Sequence, residues 1–315
     1  MSMHHWSEGV FRRSEKPPSR AVVATFVTAL IGVVMLGGIV PSGADGARTR
    51  INNGVDTEHL FGFTQGTDVG APYEKEIEVD STFRFGKHTG SFASAASEIE
   101  LKYTAFENFR ISALATFAYY DIVGVAGMED RSQAAAQSVS FDARFRLLDR
   151  QRSPFGLTLS VEPHWGFADE TSGVKINHVG FKMLLMADRE IVPHWLFGGL
   201  NSLFDTDRTR LLAAGGIEQE PTLGVGAALA AQLMPGVWIG AEVRYLRSYD
   251  GAALNTFSGQ GVYLGPTLYA PLGEKGWLSA AWDFQVWGGA AGIPGALDLV
   301  NFDRHQFKFR VGYEF

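Results

Sequence analysis

The chain has 315 residues and a mass of 34.3 kDa, with 46% apolar residues and a mean hydropathy of zero, so it carries enough apolar surface to pack a core or face a membrane and is not compositionally disordered. Its 37 Gly and its 23 Phe, 9 Tyr and 7 Trp, set against 12 Pro, favour strands and tight turns over helices. Zero Cys excludes disulfide frameworks and thiolate chemistry, and a net charge of −7 leaves no excess positive potential to hold a phosphate backbone, which excludes nucleic acid as a partner.

Residues 1–20 carry Arg12, Arg13, Lys16 and Arg20 against Glu8 and Glu15, and Ala21 to Val40 runs without a charge. The segment resembles a secretory signal peptide: Pro41 ends the apolar run and Ser42-Gly43-Ala44 supplies the small residues that signal peptidase requires. Cleavage is expected after Ala44, with Ala44-Asp45-Gly46 as a second option. An uncleaved inner-membrane anchor is the alternative, because about 20 apolar residues can cross a bilayer. Arg12-Arg13 lacks the apolar position that follows a twin-arginine pair and reads as an ordinary basic region. Residues 1–44 hold four basic and two acidic residues, so their removal takes the net charge from −7 to −9.

Residues 45–74 form an N-terminal periplasmic or lumenal segment. Its EHLFGFTQGTDVG mixes Leu60, Phe61 and Phe63 with turn-forming glycines, which suits a partial plug better than a free linker; an unordered tail is the alternative.

From residue 75 to 315 the recurring feature is period-two alternation. Ile77, Val79, Phe83 and Phe85 alternate with Glu76, Glu78, Asp80 and Arg84, and Ile99, Leu101 and Tyr103 with Glu98, Glu100 and Lys102. Phe109, Ile111, Ala113, Ala115 and Phe117 alternate with Arg110, Ser112 and Thr116, and the run from Val139 to Leu147 places Asp142, Arg144 and Arg146 on its polar side. Further copies lie at 155–165, 237–246 and 278–286. Segments 174–188 and 191–205 alternate less cleanly, with His178-Val179 shifting the parity as a bulge would, and 222–233 and 262–272 are Gly/Ala-rich. About twelve strands of roughly 9–13 residues result, the length that crosses a bilayer when tilted.

The joins test this independently. Short turns are expected at 107–108, 149–154, 188–190, 234–236 and 273–275, and mostly longer polar or Gly-rich joins at 86–94, 123–136, 168–173, 205–216, 248–259 and 288–302. An even number of antiparallel strands with short turns at one end and longer loops at the other describes an all-β, transmembrane, up-and-down β-barrel with both termini periplasmic. Hydrocarbon demands such closure, since every backbone N–H and C=O must be paired. Phe85, Tyr103, Phe117, Trp165, Tyr245, Tyr313 and Phe315 fall near strand ends, as an interfacial aromatic girdle requires. The alternative is a soluble sandwich or lipocalin-like barrel with its apolar face inward, although a dozen such faces would overfill a small interior.

The last strand, FKFRVGYEF, places Phe307, Phe309, Val311, Tyr313 and the final Phe315 at alternate positions. Joined to the leader, it resembles the C-terminal assembly signal of bacterial outer-membrane β-barrel proteins. The resemblance implies export in a Gram-negative bacterium, insertion by the barrel-assembly machinery and residence among outer-membrane lipid and lipopolysaccharide. In architecture only, the chain is also similar to proteobacterial solute transporters associated with aromatic-compound degradation.

If the apolar side faces lipid, the lumen receives Glu98, Glu100, Lys102, Arg110, Asp142, Arg144, Arg146, Glu242, Arg244, Asp283, Lys308 and Arg310, a nearly balanced set with Glu76, Glu78, Asp80, Glu162, Glu314, Arg84 and Lys182. Such ladders orient small polar solutes in a wet channel, or pair with one another and hold a closed barrel together. No cofactor and no metal site is expected from spacing. Asp205-Thr206-Asp207 is a loop element able to touch Ca²⁺, or simply solvated. Barrel hydrolases need a hydroxyl beside an imidazole, and no His-x-Ser pair occurs on an expected strand; His88, His164, His178, His194 and His305 lack that pattern, and Glu162-Pro163-His164 is a common local arrangement. The functional expectation is therefore a non-enzymatic outer-membrane channel or transporter for small, polar solutes. A closed-lumen structural or interaction barrel and an outer-membrane lipid hydrolase are the alternatives.

Overall fold

Alternation of apolar and ionised residues is converted into strand along almost the whole of 75–314. The computed structural model describes residues 55–211 and 217–315, and for Leu211 and Ile217 only the backbone. The expected leader, its cleavage site and residues 45–54 lie outside the described residues. In chain order the strands are β1 (Lys75–Phe85), β2 (Ser91–Phe106), β3 (Phe109–Val123), β4 (Arg131–Leu148), β5 (Gly156–Ala168), β6 (Lys175–Val192) and β7 (Leu196–Leu211). There follow β8 (Ile217–Gln219), β9 (Thr222–Met234), β10 (Val237–Asp250), β11 (Thr256–Leu272), β12 (Gly276–Ala290) and β13 (His305–Glu314). No helix occurs among the described residues.

Each strand pairs antiparallel with its neighbours, β6 pairs with β7, and β1 pairs with β13 from Glu76↔Glu314 to Phe85↔His305. The sheet is thereby closed into an up-and-down barrel of twelve strands, with three-residue β8 paired to the end of β7 outside the wall. The amide of Phe315 donates to the carbonyl of Lys75 at 2.9 Å, extending the seam to the last residue.

The apolar parity points outward. Leu101, Phe141 and Trp282 are 54%, 56% and 55% exposed, whereas Glu78 and Arg310 are 4% and 3% exposed. A soluble barrel would show the opposite order, so this wall is built for hydrocarbon outside and polar groups inside. Phe85, Tyr103, Phe117, Trp165, Tyr313 and Phe315 are exposed, while Tyr245 is half-buried and bonds Gln260. On β13 the outward Phe307, Phe309, Val311 and Tyr313 alternate with inward Gln306, Lys308, Arg310 and Gly312.

Several local expectations change. Most wall strands, with 13–18 residues, are longer than a bilayer crossing needs, while β1 and β13, with 11 and 10, match it. The turn expected at 188–190 lies at 193–195, because β6 continues to Val192 and Asp188 is an inward strand residue. The Asp205-Thr206-Asp207 element belongs to β7 instead of a loop. A register shift does occur between Gly166 and Ala168 of β5, opposite His178 and Lys175 of β6. The inward parity of β6 is nevertheless unbroken from Ile176 through His178, Leu184 and Met186 to Asp188. Apolar Ile176, Leu184 and Met186 face inward, and that is why the sequence looked out of phase.

At the long-loop end, inward Phe92, Ala118, Tyr120 and Ile122 form an apolar cluster with Val125. Loop 291–304 is held against the inside: Gln285 bonds the backbone of Asp298 twice, the Tyr263 hydroxyl donates to the carbonyl of Asp303, and Lys87 bonds the carbonyl of Phe302.

Candidate functional site

A strand wall spends its backbone N–H and C=O groups on the ladder, so inward ionised side chains must find partners elsewhere. They find many of them in residues 55–74. This irregular segment has free amides and carbonyls, and it lies against inward-facing side chains from strands around the barrel.

Its path is fixed by three polar anchors. Asp188 of β6 accepts from the Thr67 amide and hydroxyl, each at 2.8 Å, from the Thr57 hydroxyl, and from Arg150 at 3.2 Å. Arg150 also donates to Asp68 at 2.6 Å and to the carbonyl of Val55. Glu242 of β10 accepts the amides of Phe63 and Thr64 at 2.8 and 2.7 Å. Asn201 of β7 pairs with the Gln65 backbone in both directions, at 2.7 and 2.8 Å. From the opposite wall Arg310 donates to the carbonyl of Phe61 at 2.7 Å and to Ser279 at 3.0 Å. Thr158 and Thr104 donate to the carbonyls of Thr67 and Val69, each at 2.6 Å.

Leu60 and Phe61 enter an apolar cluster with Phe197, Ala228, Ala230 and Trp238. Gly62 permits the close approach: a Cβ there would stand 2.2 Å from Glu242 Oε1 and 2.4 Å from the Ala281 Cβ.

Glu58 is the electrostatic hub. It pairs with Arg110, with Lys102 at 3.0 Å and with Arg144 at 3.4 Å. Burial works against ionisation, but these cations and His59 hold its carboxyl well below the usual carboxylate range. Lys102 Nζ is shared with Glu76 at 2.9 Å and with Glu78, and Glu100 stands 3.9 Å away. The His59 imidazole stacks on Trp277 with centroids 3.6 Å apart, and its nitrogens lie 3.5–3.8 Å from carboxylates of Glu58, Glu76 and Glu78. Burial alone would lower its pKa; Glu58 and Glu76 raise it above the ordinary histidine value.

Beside the hub a small polar cavity is lined by Glu98, Glu100, Asp142, Arg144, Lys308 and Arg310 among the residues expected to face the lumen. Glu58, Gln65, Glu78, Asp80, Ser160, Glu162 and Lys182 complete its polar lining, with Leu114 and Leu184. Seven carboxylates and four cationic side chains line it, and Lys102 and Arg110 bond two of those carboxylates, Glu58 and Glu78, from just outside the lining, so the nearly balanced charge expected for the lumen becomes a small excess of acid here. Pairs neutralise part of it: Lys308 with Asp80 at 2.7 Å, Arg144 with Asp142 at 2.9 Å, and Lys182 with Glu162. Glu98 accepts from the Thr116 hydroxyl at 3.1 Å.

The remaining expected residues lie apart from the cavity. Lys102 and Arg110 serve the Glu58 hub. Arg244 bonds Asp283 at 2.7 Å and lies over the Phe63 ring at 3.7 Å, while Glu242 holds Phe63 and Thr64. Arg146 departs from the set: its guanidinium bonds the carbonyl of Glu107 in the β2–β3 turn, because the face of β4 has reached the barrel rim there. Glu58, His59, Gln65, Arg150, Asp188 and Asn201 belong to the site but had no spacing to mark them. The glycines flanking Phe61 and Phe63 were the available signal, since they admit backbone close to a wall.

The profile of DUF6662, described as a family of unknown function, matches residues 53–315. No curated protein matches the chain. Among solved structures, an outer-membrane channel from Pseudomonas putida F1 is similar with a TM-score of 0.55 at 9% identity, covering 79% of this chain and 98% of the channel. The β domain of the Bordetella autotransporter BrkA is similar with a TM-score of 0.50 at 13% identity, covering 77% of this chain and 100% of that domain. At these identities the likeness is one of fold, that of bacterial outer-membrane β-barrels.

Proposed function

The chain belongs to the DUF6662 family, and we propose that it is an outer-membrane channel for small polar solutes, exported through a signal peptide at 1–44 and occluded by residues 55–74. The observation that carries this reading is the acid-rich cavity inside an apolar-faced wall. A low-dielectric wall focuses the field of the excess carboxylates and raises the local concentration of cations. Small cationic or polyhydroxylated solutes suit such a lining better than anions do. In this reading the partners are outer-membrane lipid and lipopolysaccharide, the assembly machinery during biogenesis, and the solute itself.

A second reading is favoured by one observation. The four donors on Asp188 and the two amides on Glu242 hold the segment as tightly as a permanent core element, which suits a closed structural barrel. Planar-bilayer recording separates the two. The channel reading expects cation-selective conductance, measured by reversal potential across a KCl gradient, and larger steps from the Asp188→Asn/Glu242→Gln variant, whose anchors are weakened. Silence from both proteins across voltage and salt would leave the closed barrel.

A further inference from the structure

Three neighbouring strands bring together residues that the sequence keeps apart. His164 on β5 and Asp207 on β7 are both register partners of Gly180 on β6, and His178 on β6 is the partner of Gly166 and Thr209. Gly180 has no side chain, so His164 and Asp207 close over it with Nε2 2.5 Å from Oδ1. A Cβ at Gly180 would stand 2.1 Å from that oxygen and 2.5 Å from that nitrogen. His178 folds over Gly166 in the same way, its Nε2 1.7 Å from where a Cβ would be. The imidazoles meet edge to face with centroids 5.6 Å apart, and one ligating atom from each of the three side chains lies within 4.8 Å of the other two.

Two further observations point to a ligand. His178 is 5% exposed and makes no hydrogen bond among the described residues, which leaves a ring nitrogen available to a ligand. Asp205, two residues from Asp207 on the same face of β7, has a buried Oδ1 that also lacks a hydrogen-bond partner and adds negative potential. The side chains of His164 and Asp207 are 14% and 29% exposed, which gives an ion a way in.

We propose that His164, His178 and Asp207 form a binding site for a divalent transition-metal ion of the Zn²⁺ class. Two imidazole nitrogens and one carboxylate oxygen suit borderline-soft metals, whereas Ca²⁺ and Mg²⁺ take oxygen shells. Three protein ligands leave a fourth tetrahedral position for water or a solute group. Around Zn²⁺ the ligand atoms stand about 3.3 Å apart, given bonds of about 2.0–2.1 Å, so the His164–Asp207 hydrogen bond opens as the ion enters. Metal binding goes beyond the channel reading and does not depend on it, since a closed barrel has the same three strands.

The test uses full-length folded protein without a polyhistidine tag, stripped with EDTA in detergent and titrated calorimetrically with ZnCl₂. One equivalent is expected, reversed by EDTA. His178→Ala and Asp207→Asn each weaken it by about 100-fold or more, as loss of a ligand should at least match loss of an outer-shell partner. His194→Ala and His305→Ala leave it unchanged. Heat-modifiable migration verifies that each variant is folded. Where a ligand variant does not fold, X-ray absorption of the wild-type Zn²⁺ complex decides, with two imidazole nitrogens supporting the site and one or none overturning it. Absence of wild-type binding, binding unchanged in folded His178→Ala, or equal loss in His194→Ala would each overturn the assignment.

Discussion

The two ends of the lumen are filled by different means. At the long-loop end the wall fills itself, with Phe92, Tyr120 and Ile122 turned inward beneath Val125 and loop 291–304 pinned by Gln285 and Tyr263. Toward the short-turn end Phe197, Ala228, Ala230 and Trp238 cover Leu60 and Phe61, but many of the other inward residues are ionised, and a wall whose amides are already in the ladder has no backbone groups to offer them. A separate stretch of irregular chain supplies those groups: the amides of Phe63, Thr64 and Thr67 go to carboxylates, and the carbonyls of Phe61, Thr67 and Val69 go to donors. Apolar filling needs only shape, whereas ionic filling needs matched partners.

Glu58→Gln breaks that comparison hardest. It leaves Lys102, Arg110 and Arg144 around a neutral group, and loss of one member of a buried ionic cluster costs about 3–5 kcal/mol. Urea unfolding in detergent should show a loss of that order, and limited proteolysis should cut within 55–74 at a concentration that spares the native chain. Gly62→Ala acts on shape alone. Its Cβ must push against Glu242 and Ala281, for an expected loss of about 1–3 kcal/mol by the same assay, with earlier cleavage of the segment. A folded Glu58→Gln protein as stable as wild type would mean the cluster is not the anchor that its geometry describes.

The wall was legible in the sequence because two periodic signals coincide: side chains alternate along each strand, and turn residues recur between strands. The reading failed where those signals mislead. Ile176, Leu184 and Met186 are apolar but inward, so β6 seemed to change phase, and Asp188-Arg189-Glu190 looked like a turn although Asp188 is an anchor. The interior could not be read in the same way. Glu58 meets Lys102, Arg110 and Arg144 only after the barrel closes, and Arg310 meets Phe61 across a separation of 249 residues. Leu60, Phe61 and the glycines beside them announce a need for cover, but nothing in their spacing names the wall residues that give it. His164, His178 and Asp207 were each visible singly; only the register of β5, β6 and β7 puts them side by side.

A smaller effect separates the segment from the wall by pH. Glu74, just before β1, accepts the Ala71 amide at 3.0 Å, and burial pushes its carboxyl up to about 7, reinforced by Glu314, Glu76 and Glu58. An acid whose native pKa is raised binds its proton more tightly when folded. Its contribution is therefore fully present below the unfolded value of 4.5 and lost as pH rises through about 7. Stability should fall across that window by no more than about 1.4 kcal/mol per pH unit from this group. His59, also raised, loses its contribution in the same direction, so the comparison is between wild type and Glu74→Gln, in which the slope should flatten but not vanish. An unchanged slope would remove Glu74 as its source.

The smallest expected effect lies two residues along β4 from one of the largest. Arg144 and Arg146 share a face, but Arg144 bonds Asp142, Glu58 and Gln65, whereas Arg146 bonds one turn carbonyl at the rim. Arg146→Ala should change stability by about 0.5 kcal/mol or less, the range of surface substitutions, and leave conductance and selectivity as they are. Arg144→Ala should cost several times more and shift the reversal potential further toward cations, because it strips a positive charge from the cavity while leaving Asp142 and Glu58 with one partner fewer. Equal effects from the two substitutions would mean that parity alone sets the role of an inward charge, and that the segment reaching Glu58 and Gln65 adds nothing.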